Sequence, residues 1–424
     1  MSSADNLFLP PMHMVQQKFS VPPAVDVTAE LEREWNKIKN RTNIAGRARV
    51  AVGVGSRGIA NLVPLVRAVV SYLKSAGAEP FIIPAMGSHG GATAEGQIRV
   101  LSHLGITEEA VDAPVLATMD VQPLDEVDGI PLFLDRLAFE ADGIVLINRV
   151  KLHTDFSGPT ESGIIKMMAI GLGNQVGADH YHRLAVVRDM YEIFNRVGMA
   201  LIEQTNFLFG LGLVENQNHQ TSIVKIASAD MLPKAEEELL TKAREYFPRL
   251  PLDEIDLLII DEIGKDISGN GMDPNVTGRV SSPFVQKPPG PNVTRIFVRG
   301  MTEASEGNAI GIGDADFTTR RLAEKIDPHK TAMNCVTACG PESGRIPLSY
   351  NTDWEAIAAA LMTIRPYTLE DLKIVHIKNT LELEIMMVSQ SCLADLEARP
   401  LVSIDREKIQ LEFDSHDNLI SKLG

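Results

Sequence analysis

The chain has 424 residues, of which 44% are hydrophobic and 23% are charged. This is the composition of an ordinary globular protein, and at roughly 150 residues per domain the length indicates two or three domains rather than one small binding module. The net charge of −16 disfavours nucleic acid and anionic membrane surfaces as partners, because both repel an acidic protein. Three cysteines are too few for a disulfide framework in a chain of this length.

Two features of the sequence bear on where the protein works. No apolar run reaches the roughly 18 residues that cross a bilayer. The N-terminal segment contains Asp5 and lacks the basic and apolar regions of a signal peptide. We therefore expect a cytoplasmic protein whose partner is a small molecule, with no membrane or nucleic-acid partner and with homo-oligomer formation left open.

The first part of the chain alternates predicted strands and helices. Buried strands are expected at 48–54, 80–85 and 142–150, and amphipathic helices at 59–77 and 92–105 follow the first two strands. The remaining predicted elements of this part are a helix near 187–205, strands at 207–215 and 221–228, and a charged helix at 234–247. Such alternation indicates right-handed crossovers and a mostly parallel sheet, whose ligands bind at the carboxyl ends of the strands.

A Pro-punctuated stretch, Pro248-Arg249-Leu250-Pro251, predicts a domain boundary near residue 250. We expect one α/β domain at 1–250 and a second at 251–400, with a tail of about 400–424 that can pack back on the first domain. The second domain has predicted strands at 255–264, 294–300, 372–379 and 383–389 and predicted helices at 317–326 and 354–364. The predicted fold class is α/β, with two α/β domains, mostly parallel sheets and an interdomain cleft, a common position for a small-molecule site.

The loop after the first predicted strand of the alternating pattern, Gly53-Val54-Gly55-Ser56-Arg57-Gly58, matches GxGxxG. In that position the motif is typical of a dinucleotide site, because the glycines allow a tight turn and the helix N-terminus attracts phosphate. The next strand, however, ends in Ala85-Met86 without an acidic residue for a ribose diol. Arg57 adds a fixed cation that suits a carboxylate or phosphate. A dinucleotide site, another anion site and a plain tight turn all remain open.

Histidines and one lysine follow the later strands. His89 lies in Gly87-Ser88-His89-Gly90-Gly91, where small neighbours leave an imidazole open to a ligand, although a helix-capping role fits as well. His153 follows the strand at 142–150. Lys166 lies on an apolar helix face, where burial lowers a lysine's pKa and can make it a nucleophile; a lysine that reaches out to solvent is the alternative. His180 and His182 suit either a metal or the surface.

The second predicted domain contributes one candidate. Lys265 follows its first strand within the glycine-rich loop Gly264–Gly271. A lysine on such a loop can close over an anionic substrate, although a turn lysine without a role fits the sequence equally well.

Together these segments resemble the nickel-dependent lactate racemase family, the 2-hydroxyacid racemases and epimerases that use a nickel-pincer nucleotide. The order and approximate spacing of the motifs agree across residues 48–185, and the second α/β domain with Lys265 extends the resemblance to most of the chain. The segments that carry it are Ser56-Arg57-Gly58, Gly87-Ser88-His89-Gly90, Lys151-Leu152-His153, Ser162-Gly163-Ile164-Ile165-Lys166 and His182.

The resemblance implies a role for each matching residue. It implies an N-terminal domain that binds the cofactor, pyridinium-3,5-bisthiocarboxylic acid mononucleotide with nickel, and a C-terminal domain that closes over the substrate. The implied roles are acid and base for His89 and His153, a thioamide bond to the cofactor for Lys166, cofactor binding for Ser56, Gly58 and Ser162, nickel ligation for His182 in preference to His180, and substrate-carboxylate binding for Arg57 and Lys265.

The implied activity is that of an isomerase, a racemase or C2-epimerase of a 2-hydroxy acid. The hydride on C2 of the substrate would move to the cofactor and return to either face of C2. One histidine on each side of the substrate would take the proton of the substrate hydroxyl. Two departures from the family, Val54 at a position that is often acidic and a substrate pocket without recognisable aromatic residues, favour a sugar acid or a dicarboxylic hydroxy acid over lactate. The alternatives are an NAD-dependent oxidoreductase that uses the GxGxxG loop and a non-catalytic binder of anionic metabolites.

Overall fold

The computed structural model describes residues 8–39 and 44–423. The described residues divide into two units, one formed by 21–247 and the other by 8–20 together with 248–423. The second unit is discontinuous because a strand from the start of the chain belongs to its sheet.

The strands and helices are numbered in chain order. The strands are β1 (Met12–Gln17), β2 (Arg49–Val54), β3 (Glu79–Pro84), β4 (Val121–Val127), β5 (Ile130–Asp135), β6 (Gly143–Arg149), β7 (Phe207–Glu215), β8 (Thr221–Ala227), β9 (Glu254–Ile260), β10 (Asn292–Val298), β11 (Phe317–Thr319), β12 (Leu348–Tyr350), β13 (Ile374–Ile377), β14 (Ile385–Ser389) and β15 (Val402–Ile404). The α-helices are α1 (Val27–Ile38), α2 (Leu62–Ser75), α3 (Ala94–His103), α4 (Glu108–Val111), α5 (Arg136–Phe139), α6 (Ile164–Lys166), α7 (Asn174–Leu184), α8 (Met190–Gln204), α9 (Leu232–Tyr246), α10 (Pro274–Thr277), α11 (Arg320–Lys325), α12 (Pro328–Thr337), α13 (Asp353–Leu361) and α14 (Leu393–Glu397).

The unit at 21–247 is built on a five-stranded sheet in the order β3-β2-β6-β7-β8. The first four strands are parallel and β8 runs antiparallel to β7. The central strands are almost wholly apolar because helices cover both faces of the sheet, and each face has its own hydrophobic cluster. A separate hairpin, β4 with β5, packs beside this sheet against α7 and α8.

The other unit is built on an eight-stranded sheet in the order β12-β11-β10-β9-β13-β14-β1-β15. The part from β12 to β13 is parallel, and β14, β1 and β15 extend it with antiparallel pairings. The strand β1 pairs with β14 on one side and with β15 on the other.

The boundaries of these units differ from the expected ones at both termini. The units divide between Phe247 and Pro248, close to residue 250. Residues 8–20 nevertheless belong with 248–423, and the tail beyond residue 400 packs there as well, because β15 and Ile409 pair with β1. The tail therefore packs on the unit formed by 8–20 and 248–423 rather than on the unit at 21–247.

The predicted fold class is confirmed to the extent that both units are α/β with mostly parallel sheets. The cleft between them stays a prediction. Across 8–39 and 44–423, none of the helices combines the length and apolar character needed to span a membrane.

Candidate functional site

The carboxyl ends of β2, β3 and β6 meet at one edge of the five-stranded sheet. Ser56 and Arg57 follow β2, His89 follows β3 and His153 follows β6. The strand β2 lies between the other two, so the strands that lead to His89 and His153 are about 10 Å apart, twice the spacing of neighbouring strands. We call this side of the sheet the site edge; it is where parallel α/β sheets bind ligands.

The loop that carries His89 is fixed by hydrogen bonds on both sides. Gly87 has φ +60° and donates its N–H to the Gly171 carbonyl at 3.0 Å. Its own carbonyl accepts from Nε2 of Gln97, a fully buried side chain, at 2.8 Å. The exposed imidazole of His89 bonds through Nδ1 to the Ser56 hydroxyl. Since a hydroxyl can donate or accept, His89 is able to present either a lone pair or an N–H at Nε2.

His153 is held more tightly. Its backbone N–H donates to Oε2 of Glu161 at 2.7 Å, and its Nδ1 accepts from the backbone N–H of Asp155 at 3.0 Å. In the neutral ring, this arrangement assigns the proton to Nε2. Burial, followed by repulsion from Lys166, holds the pKa of His153 well below its usual range. The ring is therefore uncharged at neutral pH.

Lys166 ends the short helix α6, which continues as one π-helical turn over Met167–Gly171. Desolvation by burial, opposed by Asp155 and helped by Arg57, lowers the pKa of Lys166 to about 8. About half of the molecules carry a neutral amine at pH 8, a form that can act as a nucleophile. A π-helical turn is also a frequent feature of functional sites.

The two histidines of α7, His180 and His182, have different surroundings. Nδ1–H of His182 donates to the Ala178 carbonyl at 2.6 Å, which leaves Nε2 as an acceptor, the usual arrangement of a metal-binding histidine. Burial lowers the pKa of His182, and Lys166 and Asp155 are among the charges that act on it. His180 packs instead edge-on against Phe133 of β5, at 5.8 Å between ring centroids. Of the two, His182 is the one that is electrostatically coupled to Lys166.

A chain of aromatic rings joins His153 to His182. His153 stacks on Phe156 at 4.2 Å, Phe156 meets Phe194 edge-on at 5.5 Å, and His182 meets Phe194 at 5.6 Å between ring centroids. Both phenylalanines are buried. Both imidazoles therefore pack against a buried phenylalanine, and such apolar surroundings contribute to the desolvation that lowers their pKa values.

Arg57 and two residues that the sequence reasoning did not assign complete the edge. Partial withdrawal from solvent, followed by repulsion from Arg149, lowers the pKa of Arg57. Arg149, the last residue of β6, forms an ion pair with Glu215 at the end of β7. Arg149 lies in the predicted strand at 142–150, and Glu215 is the last residue of the predicted strand at 207–215. The sequence indicated that both residues lie at or next to the ends of predicted strands. It did not indicate that these two strands are neighbours, because that depends on strand order.

The GxGxxG loop differs from a dinucleotide-binding turn. The helix α2 begins at Leu62, four residues beyond Gly58, and its N-cap residue Asn61 is left-handed with φ +60°. The backbone N–H of Ala60 donates to Oε1 of Glu215 at 2.7 Å. A carboxylate thus occupies a backbone donor in the region where a pyrophosphate needs free N–H groups. The local geometry gives no support to the NAD-dependent alternative.

The remaining predicted residues divide between the two units. Gly58 is exposed in the turn after β2. Ser162 forms an antiparallel bridge with Lys151, with backbone N···O distances of 2.9 and 3.2 Å, just before α6. Lys265 lies in the other unit, where its Nζ donates to the Gly269 carbonyl at 2.7 Å. The predicted site residues except Lys265 thus lie in the unit at 21–247, and the role of each of them stays a prediction.

Metal binding was tested against the side chains themselves. In the described part of the chain, no three or more His, Cys, Asp or Glu side chains are grouped so that they could hold a metal ion. At the site edge, Nε2 of His182 is a single imidazole donor. Fewer than three of the described His, Cys, Asp and Glu side chains could therefore ligate a metal at this position.

Residues 57–266 match the model of a family described as a domain of unknown function, DUF362. Among solved structures, the chain is similar to the lactate racemase apoprotein from Thermoanaerobacterium thermosaccharolyticum, with 13% identity and a TM-score of 0.46, over 86% of this chain and 84% of that one. No curated protein matches the chain. The description of the matched family names no activity.

Proposed function

We propose that this protein is an isomerase, a racemase or C2-epimerase of a 2-hydroxy acid that works with a nickel-pincer nucleotide. The observation that supports it is the common edge of His89 and His153, which follow the strands on either side of β2. Lys166 and His182 are both coupled electrostatically to His153 at that edge. The matching motifs in the sequence suggest the reaction class, and the shared edge of the sheet supports a pairing of the two histidines.

The two imidazoles have complementary properties. Inversion at C2 requires a group on each side of the carbon that can take the hydroxyl proton and later return it. His153 is neutral, and its Nε2 carries the proton in the described hydrogen-bond arrangement. His89 can present a lone pair at Nε2 when the Ser56 hydroxyl accepts from Nδ1. One histidine can therefore begin as the base while the other begins as the hydrogen-bond donor.

The residues at the edge fit the cofactor that the sequence resemblance implies. The amine of Lys166 is partly desolvated and partly neutral, as a thioamide link requires, and Nε2 of His182 is oriented as an acceptor. Ser56, Gly58 and Ser162 would contribute the surrounding contacts. When bound, the nickel-pincer nucleotide supplies the acceptor for the C2 hydride.

The substrate is expected to be an anion. Arg57 would bind its carboxylate, and Arg149 lies close enough to lower the pKa of Arg57. Lys265 keeps its predicted role as a second cation for the substrate. Since a 2-hydroxy acid with a further carboxylate or several hydroxyls uses such polar groups more fully than lactate does, we favour a dicarboxylic hydroxy acid or a sugar acid.

The decisive experiment uses protein purified from its native host and single enantiomers of 2-hydroxy acids deuterated at C2. We expect loss of optical purity while the product keeps deuterium at C2, because a hydride that is transferred reversibly to a cofactor does not exchange with water. Deuterium lost to solvent would indicate proton abstraction instead. Transfer of deuterium to added NAD would indicate the oxidoreductase, and binding without inversion would indicate a non-catalytic binder.

Cofactor retention gives a second test that does not depend on turnover. Intact mass and elemental analysis of the native protein should show a nucleotide-sized adduct and nickel. Lys166→Ala should remove the covalent adduct, and His182→Ala should lower the nickel content, whereas His180→Ala should leave it unchanged. Equal nickel in the His182→Ala variant and the wild type would reject His182 as the ligand.

A further inference from the structure

A buried glutamate from α9 lies directly under the helix that carries Lys166. The side chain of Glu236 is 1% exposed. Its Oε2 accepts the backbone N–H groups of Ile164 at 3.0 Å and Ile165 at 3.1 Å. These are the first two N–H groups of α6, which have no partner within the helix. Glu236 therefore satisfies the N-terminal donors of the turn that ends at Lys166.

The contact leaves no space between the two segments. A Cβ on Gly163 would lie 2.2 Å from Oε1 of Glu236, so the backbone at 163 approaches the carboxyl more closely than any side chain allows. From the opposite side, Nδ2 of Asn148 in β6 donates to the Gly163 carbonyl at 2.9 Å. The start of α6 is thus fixed between α9 and the central strand of the sheet.

The carboxyl of Glu236 acts here through the hydrogen bonds that it accepts, more than through its negative charge. Burial raises the pKa of Glu236 to about 7, and the two N–H groups reduce the shift. Within the described residues, Oε1 has no hydrogen-bond partner. An uncharged amide oxygen at the same position can accept the same two N–H groups, so glutamine is expected to replace Glu236.

We infer that Glu236 is a positioning residue, which fixes the first turn of α6 and so sets the access of Lys166 to the site edge. The inference rests on the proposed function for the use made of Lys166, but the placement of the amine can be measured without any turnover. The charged and titratable groups that face Lys166 are Arg57 after β2, Asp155 and His153 after β6, and His182 from α7. Glu236 is not among them and acts through the helix.

The test is residue-resolved acetylation of the full recombinant chain by an N-hydroxysuccinimide ester at one fixed pH, quantified by peptide mass spectrometry. The rate at Lys166 is divided by the rate at the exposed Lys37, which corrects for differences in reagent and protein concentration, and far-UV circular dichroism establishes that each variant is folded. In Glu236→Ala, two buried N–H groups lose their acceptor, and local opening should raise this ratio by about tenfold. Glu236→Gln should restore the wild-type ratio, and Glu237→Ala, at the exposed neighbour on the same helix, should leave it unchanged.

Gly163→Ala provides a second route if Glu236→Ala fails to fold. Its new methyl group displaces the carboxyl without removing it, and it should raise the same ratio. No increase in either folded variant, an equal increase in Glu237→Ala, or no rescue by glutamine would overturn the inference. The two proposals fail separately: a native protein that does not invert hydroxy acids refutes the function, while the Lys166 ratio decides the role of Glu236.

Discussion

The two units present parallel strands whose carboxyl ends carry very different chemistry. At the site edge, His153, Lys166 and His182 have pKa values shifted towards their neutral forms. The same edge also carries an ion pair, Arg149 with Glu215. At the corresponding edge of the eight-stranded sheet, which we call the paired edge, Asp261 and Arg299 follow β9 and β10 and keep opposite charges that pair with each other.

The charged residues at the paired edge bind other parts of the same unit. Arg299 also pairs with the fully buried Asp353 at 2.8 Å, and Arg321 approaches the same carboxylate at 3.0 Å. Arg299 donates to the Leu419 carbonyl, and the Ser421 hydroxyl donates to Asp261. These bonds hold the C-terminal tail, so a carboxyl edge rich in polar groups is not by itself a ligand site. The distinguishing property is whether the polar groups already satisfy each other.

Removal of the histidines at the site edge should have the largest effect. His89→Ala and His153→Ala should each lower the rate of inversion by roughly 10²–10⁴-fold, the usual contribution of an acid or base. Turnover by native-host protein, with nickel content measured in parallel, checks this. His103→Ala, at an exposed histidine of α3, is the control and should keep full activity. Unchanged turnover in both site variants would contradict the two-histidine mechanism.

The strands of this protein were predictable wherever local pattern decides structure. The run at 142–150 is apolar on both faces and forms β6 at Gly143–Arg149. The strand β4, by contrast, has the sequence VQPLDEV, in which Pro123, Asp125 and Glu126 hide the strand signal. The strand β1 was not predicted because it is stabilised by partners 369 or more positions along the chain, a relation that no local pattern contains.

The candidate site was predictable in its residues but not in its geometry. The motifs around His89 and His153 were visible because glycines and strand ends surround them. Their placement on either side of β2 depends on strand order, which follows from packing of the whole sheet. Glu236 lies 70 or more positions from the N–H groups that it accepts, and it stands in a charged helix that resembles a solvated one. Long-range hydrogen bonds of this kind leave no trace in spacing.

Breaking the paired edge should cost stability without touching the site edge. Asp353→Asn leaves Arg299 and Arg321 with a neutral partner in a buried setting, and we expect a loss of about 3 kcal/mol in the free energy of unfolding. Urea unfolding followed by fluorescence of the adjacent Trp354, in a Trp35→Phe background, measures it. Glu303→Ala removes an exposed pair with Lys325 and should cost about 0.5 kcal/mol or less. Similar losses in the two variants would mean that the buried network is no stronger than a surface pair.

The smallest effect should be a gain in stability at the site edge. The pKa of Lys166 is about 8 in the folded protein and 10.5 as a reference, so the unfolded chain binds more protons between these pH values. The stability that this group contributes is present above pH 10.5 and is lost as the pH falls through 8. Lys166→Met should therefore raise the free energy of unfolding at pH 7 by about 2 kcal/mol, since part of the side chain reaches solvent.

The pH dependence of that gain separates a charge effect from better packing. If charge is the cause, the advantage of Lys166→Met should shrink as the pH rises from 8 towards 10.5, because the wild-type amine then becomes neutral in both states. Urea unfolding reported by Trp35, in a Trp354→Phe background, gives the difference at pH 7 and at pH 10. The exposed Lys234→Met should change stability by no more than about 0.5 kcal/mol at either pH. A gain that is equal at both pH values would show that the site edge does not strain its lysine, and the contrast with the paired edge would then rest on the histidines alone.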